Sequence, residues 1–238
     1  MSDRPLRLSV VIPALNEART LAAVVAAVSA ALADRELELV IVDDGSSDDT
    51  PRVIERLAAA DPRVRHARHE RPRGKGSAVR TGFALASGDV LVIQDADLEY
   101  LPGDIPSLLR PLDEGRADAV YGSRFLGAEH SVNYFWTTLA NKLITLASNL
   151  VYNANFTDLY TGYKALRADF VRPLQLTSTT FTIEAELTAK LWRSGARFVE
   201  VPIRYRARSY REGKKIRASD ALRALAAIVG HRFTRLRA

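Results

Sequence analysis

Short apolar runs alternate with helical patterns through the first half of the chain. These runs predict β-strands at Arg7–Ile12, Leu37–Val42, Val64–His66, Val90–Gln94 and Ala119–Gly122. Between the first two strands, apolar residues recur at helical spacing, namely Leu21, Val24, Val25, Val28 and Leu32. Further helices are predicted to begin behind Ser47 as the capping residue and to run from Ser77 to Ala86. The alternation predicts an α/β fold in a single domain, with a mainly parallel sheet flanked by helices.

The second half of the chain carries two apolar stripes and one more strand. The stripe from Trp136 to Leu150 has helical spacing, and Phe198–Ile203 predicts another strand. Residues 219–238 predict a helix whose apolar face is flanked by arginines, with the apolar positions Leu222, Leu225, Val229, Phe233 and Leu236. We therefore predict a folded domain over residues 1–217 and a basic amphipathic C-terminal helix over residues 218–238.

The amino-acid composition is that of a folded protein without disulfides or a membrane-spanning helix. The chain has 238 residues, of which 47% are hydrophobic, which is enough for one sizeable core. It contains no cysteine, so disulfides and thiolate metal sites are excluded. The start of the chain lacks the apolar segment of a signal peptide, and no run reaches the ~18 apolar residues of a membrane-spanning helix. We expect a cytoplasmic protein, either soluble or bound at a membrane surface.

The net charge of +6 is unevenly distributed along the chain. From Arg197 to Ala238 there are 12 Lys/Arg against 3 Asp/Glu, whereas the rest of the chain is mildly acidic. A basic end on an acidic body favours an anionic partner such as a phosphate or a phospholipid surface. No nucleic-acid-binding motif accompanies these basic residues, so nucleic acid is not an expected partner.

The candidate chemistry follows the predicted strands. Ligands of parallel α/β sheets bind beyond the carboxyl ends of the strands, so the residues just after each strand are the ones to examine. They are Pro13 to Glu17, Asp43 to Ser46, Asp95 to Glu99, and Ser123 to Arg124. Three of these four groups contain acids, and this clustering at one sheet edge is the main functional signal.

Asp95 and Asp97 leave a buried strand two residues apart, and Glu99 follows. Carboxylate oxygens at this spacing could share a Mg²⁺ or Mn²⁺ ion, which is usually held together with substrate phosphates. The alternative is a solvated acidic turn. Asp44 could accept hydrogen bonds from a ribose or a base, or it could belong to a turn that Ser47 caps.

Two basic segments complete the candidate site. The Gly74-Lys75-Gly76 segment precedes a helix but lacks the pattern of a dinucleotide fingerprint or a P-loop, so we interpret it as a helix entrance with Lys75 near a nucleotide. The basic loop from Arg204 to Arg217 could close over a diphosphate, and Gly213 would give it freedom to move. The alternative for most of these side chains is a solvated charged hairpin.

The sequence resembles the inverting family-two glycosyltransferases of GT-A fold, and among them the polyprenyl-phosphate sugar synthases of the dolichyl-phosphate mannose synthase type. The resemblance covers nearly the whole chain. It rests on these segments in order: Val10 to Glu17, Val42 to Asp48, Gly74-Lys75-Gly76, Gln94 to Glu99, Gly122-Ser123-Arg124, Thr161-Gly162-Tyr163-Lys164 and Glu200-Val201-Pro202-Ile203.

The resemblance implies a role for each matching residue. Asp95, Asp97 and Glu99 would hold a divalent metal, Mg²⁺ or Mn²⁺. The residues at the nucleotide sugar would be Pro13, Leu15, Glu17, Asp44, Lys75, Asp95 and Ala96. The residues that act on the transferring group and the acceptor would be Asp97, Arg124, Arg208 and Lys214, with Arg124 facing the acceptor phosphate.

These roles predict a metal-dependent hexosyltransferase that moves a sugar from GDP-mannose or UDP-glucose to a dolichyl or undecaprenyl phosphate with inversion. The second hypothesis is a glycosyltransferase with a hydroxyl acceptor on a lipid or soluble glycan, for which Glu184 and Glu186 are candidate bases. A non-catalytic protein that binds anionic surfaces is a distant third. For the first hypothesis we expect peripheral binding to the cytoplasmic membrane face.

Two helices are candidates for that membrane contact. The C-terminal helix is the stronger one, because its arginines flank its apolar face. The stripe from Trp136 to Leu150 is instead expected to pack on the sheet or against another subunit.

Overall fold

The computed structural model describes residues 6–127, 135–207 and 218–233 of the chain. The strands of its one sheet are β1 (Leu8–Ala14), β2 (Leu37–Asp43), β3 (Val64–Arg68), β4 (Val90–Ile93), β5 (Ala119–Ser123), β6 (Lys164–Arg167) and β7 (Phe198–Pro202). The helices are α1 (Leu21–Ala31), α2 (Thr50–Ala60), α3 (Lys75–Leu85), α4 (Ile105–Asp113), α5 (Phe135–Tyr152), α6 (Ala168–Val171), α7 (Ile183–Arg193) and α8 (Ala218–Phe233), with a 3₁₀ turn at Pro102–Asp104.

The sheet has seven strands in the order β3-β2-β1-β4-β6-β5-β7. All neighbouring pairs are parallel except the two that involve β6. Helices cover both faces of the sheet, so the central strands are buried on both sides and their sequences are continuous apolar runs. Alternate residues of β1 enter opposite layers, with Val10 and Ile12 packing in one cluster and Val11 in the other. The predicted α/β fold with a mainly parallel sheet is confirmed.

The start of α2 differs from the prediction. The helix begins at Thr50 with Asp49 at the capping position, and Ser47 makes no cap. The backbone N–H of Ser47 instead donates to Asn16 Oδ1 at 2.9 Å, which draws this residue toward the loop after β1. Asp48 Oδ1 accepts from the Thr50 N–H at 2.9 Å. The prediction of Ser47 as the cap is therefore wrong, because the helix begins only at Thr50 and the Ser47 hydroxyl instead donates to Asn16 Oδ1 at 3.4 Å.

Strand β6 was not predicted, and it brings the residues that precede it to the candidate site. It pairs antiparallel with β4, with Ile93 opposite Lys164. An antiparallel strand begins at the edge where its parallel neighbours end, so the residues before β6 lie beside the residues after β4. β6 has the same length as β4, but only its two central residues, Ala165 and Leu166, are apolar, so it lacks the continuous apolar run that marks β4.

The two apolar stripes were predicted to form helices, and this is confirmed by α5 and α8. The inner side of α8 packs on α5 and α7 through a small cluster that contains Ile144, Ala185, Ala189, Ala224 and Ile228. The division of the chain at residue 217 stays a prediction. Within the described residues, no helix is both long enough and apolar enough to cross a membrane.

Candidate active site

The segments that follow β1 and β2 contain predicted site residues and are joined to each other by hydrogen bonds. The Asn16 N–H donates to Ser46 Oγ at 2.9 Å, and the Glu17 N–H donates to Thr50 Oγ1 at 2.9 Å. Pro13, Leu15 and Glu17 are half-buried along this wall of the site. The short polar side chains of the second loop therefore fix the backbone of the first one.

Asp44 holds the loop that enters α3. Its carboxylate accepts from His69 Nδ1 at 2.7 Å, from the Arg73 N–H at 3.0 Å and from the Gly74 N–H at 2.7 Å. The side chain of Asp44 is only 4% exposed. Its predicted contact with a nucleoside stays a prediction, since in this structure Asp44 orders the backbone around Lys75.

Lys75 and Asp95 form an ion pair at the centre of the site. Lys75 Nζ lies 2.8 Å and 3.0 Å from the two carboxylate oxygens of Asp95, and 3.5 Å from Glu184 Oε1. Burial disfavours the charge on Lys75, but the two acids outweigh it and raise the pKa of Lys75. Gly74 precedes α3 with a φ of +97°, which a larger residue would rarely adopt. This turn allows the helix to begin at the next residue, Lys75.

A second buried lysine stands behind this pair. Lys164 Nζ contacts the other oxygen of Glu184 and donates to the carbonyl of Leu159 at 3.2 Å. Burial lowers the pKa of Lys164 by more than Glu184 raises it. Glu184 thus bridges two lysines, and its position inside α7 makes it part of the support beneath Lys75.

The acidic turn after β4 adopts a strained backbone. Leu98 has a φ of +60°, an uncommon conformation for a residue with a side chain, and such strain tends to occur at functional sites. It separates Asp97, whose Oδ1 accepts the Glu99 N–H at 3.1 Å, from Glu99, whose Oε2 accepts the Tyr205 hydroxyl at 2.9 Å. Ala96 is 2% exposed and packs in the core, so its side chain does not line the site and only its backbone can contact a ligand.

The three acids are suited to a metal by chemistry, although they do not converge. Among the described residues, no group of three or more acids and histidines is close enough to hold an ion. Asp95 is paired with Lys75, and Glu99 turns toward Tyr205. Their oxygens are the ligands that Mg²⁺ and Mn²⁺ prefer, and a bound diphosphate would supply further oxygens. The donor chemistry of these residues, although not their present arrangement, therefore fits a metal that would bind together with a nucleotide.

Gly162 lies at the candidate site, and the sequence assigned it no role. A methyl group at this position would lie 2.5 Å from Asp95 Oδ2 and 3.1 Å from Lys75 Nζ. The Gly162 N–H donates to the Tyr100 hydroxyl at 2.9 Å, and burial raises the pKa of Tyr100 to about 12. Glycine is therefore needed where the segment before β6 passes the central ion pair.

Arg124 is held by a partner that the sequence did not identify. Its Nε and Nη2 donate to the two oxygens of Asp158 at 2.7 Å and 2.8 Å. The guanidinium also lies over the ring of Tyr205, 5.0 Å from its centroid. Asp158 precedes the unpredicted strand β6, and no acidic motif marks it in the sequence. Arg208 and Lys214 lie outside the described residues, so their predicted roles stay predictions.

The two candidate bases on α7 are buried in structural contacts. Glu186 accepts from Lys190 Nζ at 2.6 Å and from the backbone N–H groups of Thr177 and Ser178 at 2.9 Å and 2.7 Å. Glu184 is bonded to two lysines, as described above. Glu186 thus supports the loop in front of α7, whereas Glu184 supports Lys75 and Lys164.

Comparison with known proteins identifies the family. The model of the family described as glycosyl transferase family 2 matches residues 9–174, which include the loops after β1, β2, β4 and β5. The chain belongs to glycosyl transferase family 2. The family was the one that the sequence motifs resembled, and the chain is accordingly a glycosyltransferase.

Family-two relatives with assigned names share about a third of the sequence. The dolichol-phosphate mannosyltransferase of Pyrococcus furiosus is 33% identical over 89% of this chain, which spans 61% of that protein's length. The undecaprenyl-phosphate mannosyltransferase of Micrococcus luteus is 35% identical over 88% of this chain and 87% of its own. The polyprenol monophosphomannose synthase of Mycolicibacterium smegmatis is 32% identical over 84% of this chain and 77% of its own.

Solved structures support the GT-A fold. Glucosyl-3-phosphoglycerate synthase from Mycobacterium tuberculosis, in a complex with Mn²⁺, UDP and glucosyl-3-phosphoglycerate, superposes with a TM-score of 0.72. The match covers 95% of this chain and 80% of that one at 24% identity. At this identity the likeness concerns the fold alone.

Proposed function

We propose that this glycosyltransferase moves a hexose from a nucleotide sugar to a polyprenyl phosphate, with inversion at the anomeric carbon. The observation that carries the proposal is the pairing of the Nε and Nη2 side of the Arg124 guanidinium with Asp158, which leaves its Nη1 end without a hydrogen-bond partner among the described residues. A guanidinium edge matches a phosphate. Two relatives bear names that specify transfer of mannose to a polyprenyl phosphate, which supports the same acceptor class.

The buried state of the α7 acids favours a phosphate over a hydroxyl acceptor. A hydroxyl needs a general base within reach, and Glu184 and Glu186 were the candidates. Both are bonded to lysines inside the protein, at 2% and 0% exposure. A phosphate is already ionised near neutral pH and can attack the anomeric carbon without such a base.

Cationic side chains would stabilise the departing nucleoside diphosphate. Two unit charges about 4 Å apart, at an effective dielectric constant of about 20, interact by roughly 4 kcal/mol. If such an interaction forms only in the transition state, it increases the rate of transfer roughly a thousandfold. We assign this role to Lys75, because it is already paired with Asp95 of the acidic turn, and to Arg208 and Lys214 by resemblance.

We include a divalent metal, Mg²⁺ or Mn²⁺, in the proposal. Asp97 and Asp95 would hold it, with Glu99 as a further oxygen ligand. When bound, the ion would supply Lewis-acid stabilisation of the diphosphate. A structural neighbour was solved with Mn²⁺ and UDP, which is consistent with this class of cofactor.

A bilayer surface is the proposed partner of α5. Its apolar stripe does not pack on the sheet, which was one of its two expected positions, because Trp136, Leu143, Leu146 and Leu150 are 76%, 54%, 53% and 76% exposed. On α8, by contrast, Ala224 and Ile228 are buried, while Val229 and Phe233 are exposed. Aromatic and leucine side chains beside the exposed Lys142, Arg223 and Arg232 match the composition of an interfacial helix on anionic lipid.

The decisive experiment is a panel of radiolabelled GDP and UDP sugars, tested with polyprenyl phosphates and with soluble hydroxyl acceptors, with and without Mn²⁺. Label that is extracted into organic solvent only when a polyprenyl phosphate is present supports the proposal. Label that passes only to a hydroxyl acceptor would favour the second hypothesis. The absence of any sugar transfer or nucleotide-sugar hydrolysis across the panel would refute both.

A further inference from the structure

Helix α5 has a polar inner face opposite its exposed apolar stripe. Asn141, Thr145 and Asn149 are four residues apart and therefore share that face. They bind one loop, residues 156–159. Asn149 bonds the Phe156 backbone at 2.9 Å and 2.8 Å, the Leu159 N–H donates to Thr145 Oγ1 at 3.3 Å, and Asn141 Nδ2 donates to Asp158 Oδ1 at 2.8 Å. The interfacial helix thus holds the loop that carries the partner of Arg124.

Asp158 is fully buried and bonded from several sides. Burial alone would raise its pKa, but the charge of Arg124 and the hydrogen bonds to it hold the pKa of Asp158 below its ordinary value. The backbone N–H groups of Thr157 and Asp158 donate to the carboxylate of Glu200 at 2.8 Å and 3.0 Å. Asp158 is therefore a charged anchor whose backbone is fixed by β7 and whose side chain is fixed by α5.

The anchor determines which edge of Arg124 faces outward. Asp158 uses the Nε and Nη2 side of the guanidinium, and Tyr205 lies against one face of it. Within the described ranges, the Nη1 group has no hydrogen-bond partner. The amide of Asn141 likewise has one side-chain hydrogen bond among these residues, to Asp158, and its Oδ1 is buried without a partner.

We propose that Asn141 and Asp158 are positioning residues for the acceptor phosphate, which link the orientation of Arg124 to the lipid-facing helix α5. The inference rests on the proposed function. A polyprenyl phosphate places its tail in the bilayer and its charge at the surface, so the arginine must stand at a fixed distance from the helix that lies on that surface. Asn141 supplies the link, because it projects inward from the same helix whose outer face carries Leu143 and Leu146.

The test compares two variants on the inner face of α5. Asn141→Leu keeps the branched shape of the side chain, although its methyl groups are bulkier than the amide, and removes the hydrogen bond to Asp158. Thr145→Val is the matched control, because it removes one hydrogen bond to Leu159 in the same loop but does not touch Asp158 or Arg124. The readouts are KM for a polyprenyl phosphate, KM for the sugar donor, and calorimetric Kd for farnesyl monophosphate and for the nucleoside diphosphate with Mn²⁺, all on the full chain.

We expect Asn141→Leu to raise both KM for the polyprenyl phosphate and Kd for farnesyl phosphate about tenfold, which is about 1.4 kcal/mol. The donor KM and the Kd of the nucleoside diphosphate should stay unchanged, and Thr145→Val should change none of these constants. In an Arg124→Lys background, Asn141→Leu should have little further effect, since lysine cannot form the two-point contact with Asp158.

Several outcomes would overturn the inference. Unchanged acceptor constants in Asn141→Leu would do so, as would equal changes for acceptor and sugar donor or an equal effect of Thr145→Val. If the unmodified protein neither binds farnesyl phosphate nor transfers to polyprenyl phosphate, the proposed function fails and the inference fails with it. If the unmodified protein does both and Asn141→Leu matches it, only the inference fails.

Discussion

Replacing Glu184 by glutamine tests whether this buried acid serves the fold or the chemistry. Glu184 is 2% exposed, Lys164 is 0% exposed, and the two side chains are in direct contact. Glu184→Gln removes the counter-ion of Lys164 while Lys75 keeps Asp95. Leaving one charge of a buried pair uncompensated costs about 3–5 kcal/mol. We expect the free energy of unfolding, measured by urea titration, to fall by about this amount.

The matched second change is Lys164→Met, which removes the charge that Glu184→Gln leaves behind. On its own it should also destabilise, because the carbonyl of Leu159 loses its partner and Glu184 loses its closest cation. The double variant should lose less stability than the sum of the single variants, by about 2 kcal/mol or more. Transfer activity per folded molecule should then recover at least in part. Strictly additive losses, or a stable double variant without activity, would refute the structural role and return Glu184 to candidacy as a base.

Three further predictions concern the metal, acid stability and the membrane. Asp97→Asn should abolish metal-stimulated transfer without changing the urea midpoint, and activity that survives would remove Asp97 from the site. The backbone N–H groups and Lys190 outweigh burial and lower the pKa of Glu186 to about 2, so its stabilisation, roughly 3 kcal/mol, should be lost as pH falls from about 4.5 to 2. Glu186→Gln should flatten that part of the unfolding profile, and an unchanged profile would contradict the assignment. Leu146→Glu should reduce sedimentation with anionic liposomes at low salt, whereas Ala59→Glu on α2 should not; equal behaviour would argue against α5 as the contact.

The parallel half of the fold could be predicted because its signals are local. Each of β1, β2 and β4 is an apolar run followed by polar residues, and parallel pairing brings their carboxyl ends together. The search for chemistry just after each strand therefore located Asp44, Asp95 and Arg124. The same rule misses residues that precede an antiparallel strand. Asp158 and Gly162 reach the site in that way, through β6.

The two surface helices show a different limit of sequence patterns. An apolar stripe at helical spacing predicts a helix, and α5 is one, but the pattern does not tell which face turns inward. On α5 the polar residues Asn141, Thr145 and Asn149 face the protein because they satisfy the backbone and carboxylate groups of an irregular loop. That need arises only in the folded chain, so the expected packing of the Trp136 to Leu150 stripe on the sheet is wrong, whereas its packing against another subunit stays a prediction.

The charges at the site are arranged as matched pairs. Lys75 faces Asp95, Arg124 faces Asp158 and Arg68 faces Asp43, each at 3.1 Å or less. An anionic diphosphate that entered with a divalent cation would bring both signs of charge, so Lys75 and Asp95 could exchange partners with little net desolvation of either group. Arg124 differs, because its bond to Asp158 uses one edge and leaves the other for a ligand. The proposed donor side of the site is thus suited to exchange of partners and the proposed acceptor side to a fixed contact, and this contrast is what separates the roles proposed for Lys75 and Arg124.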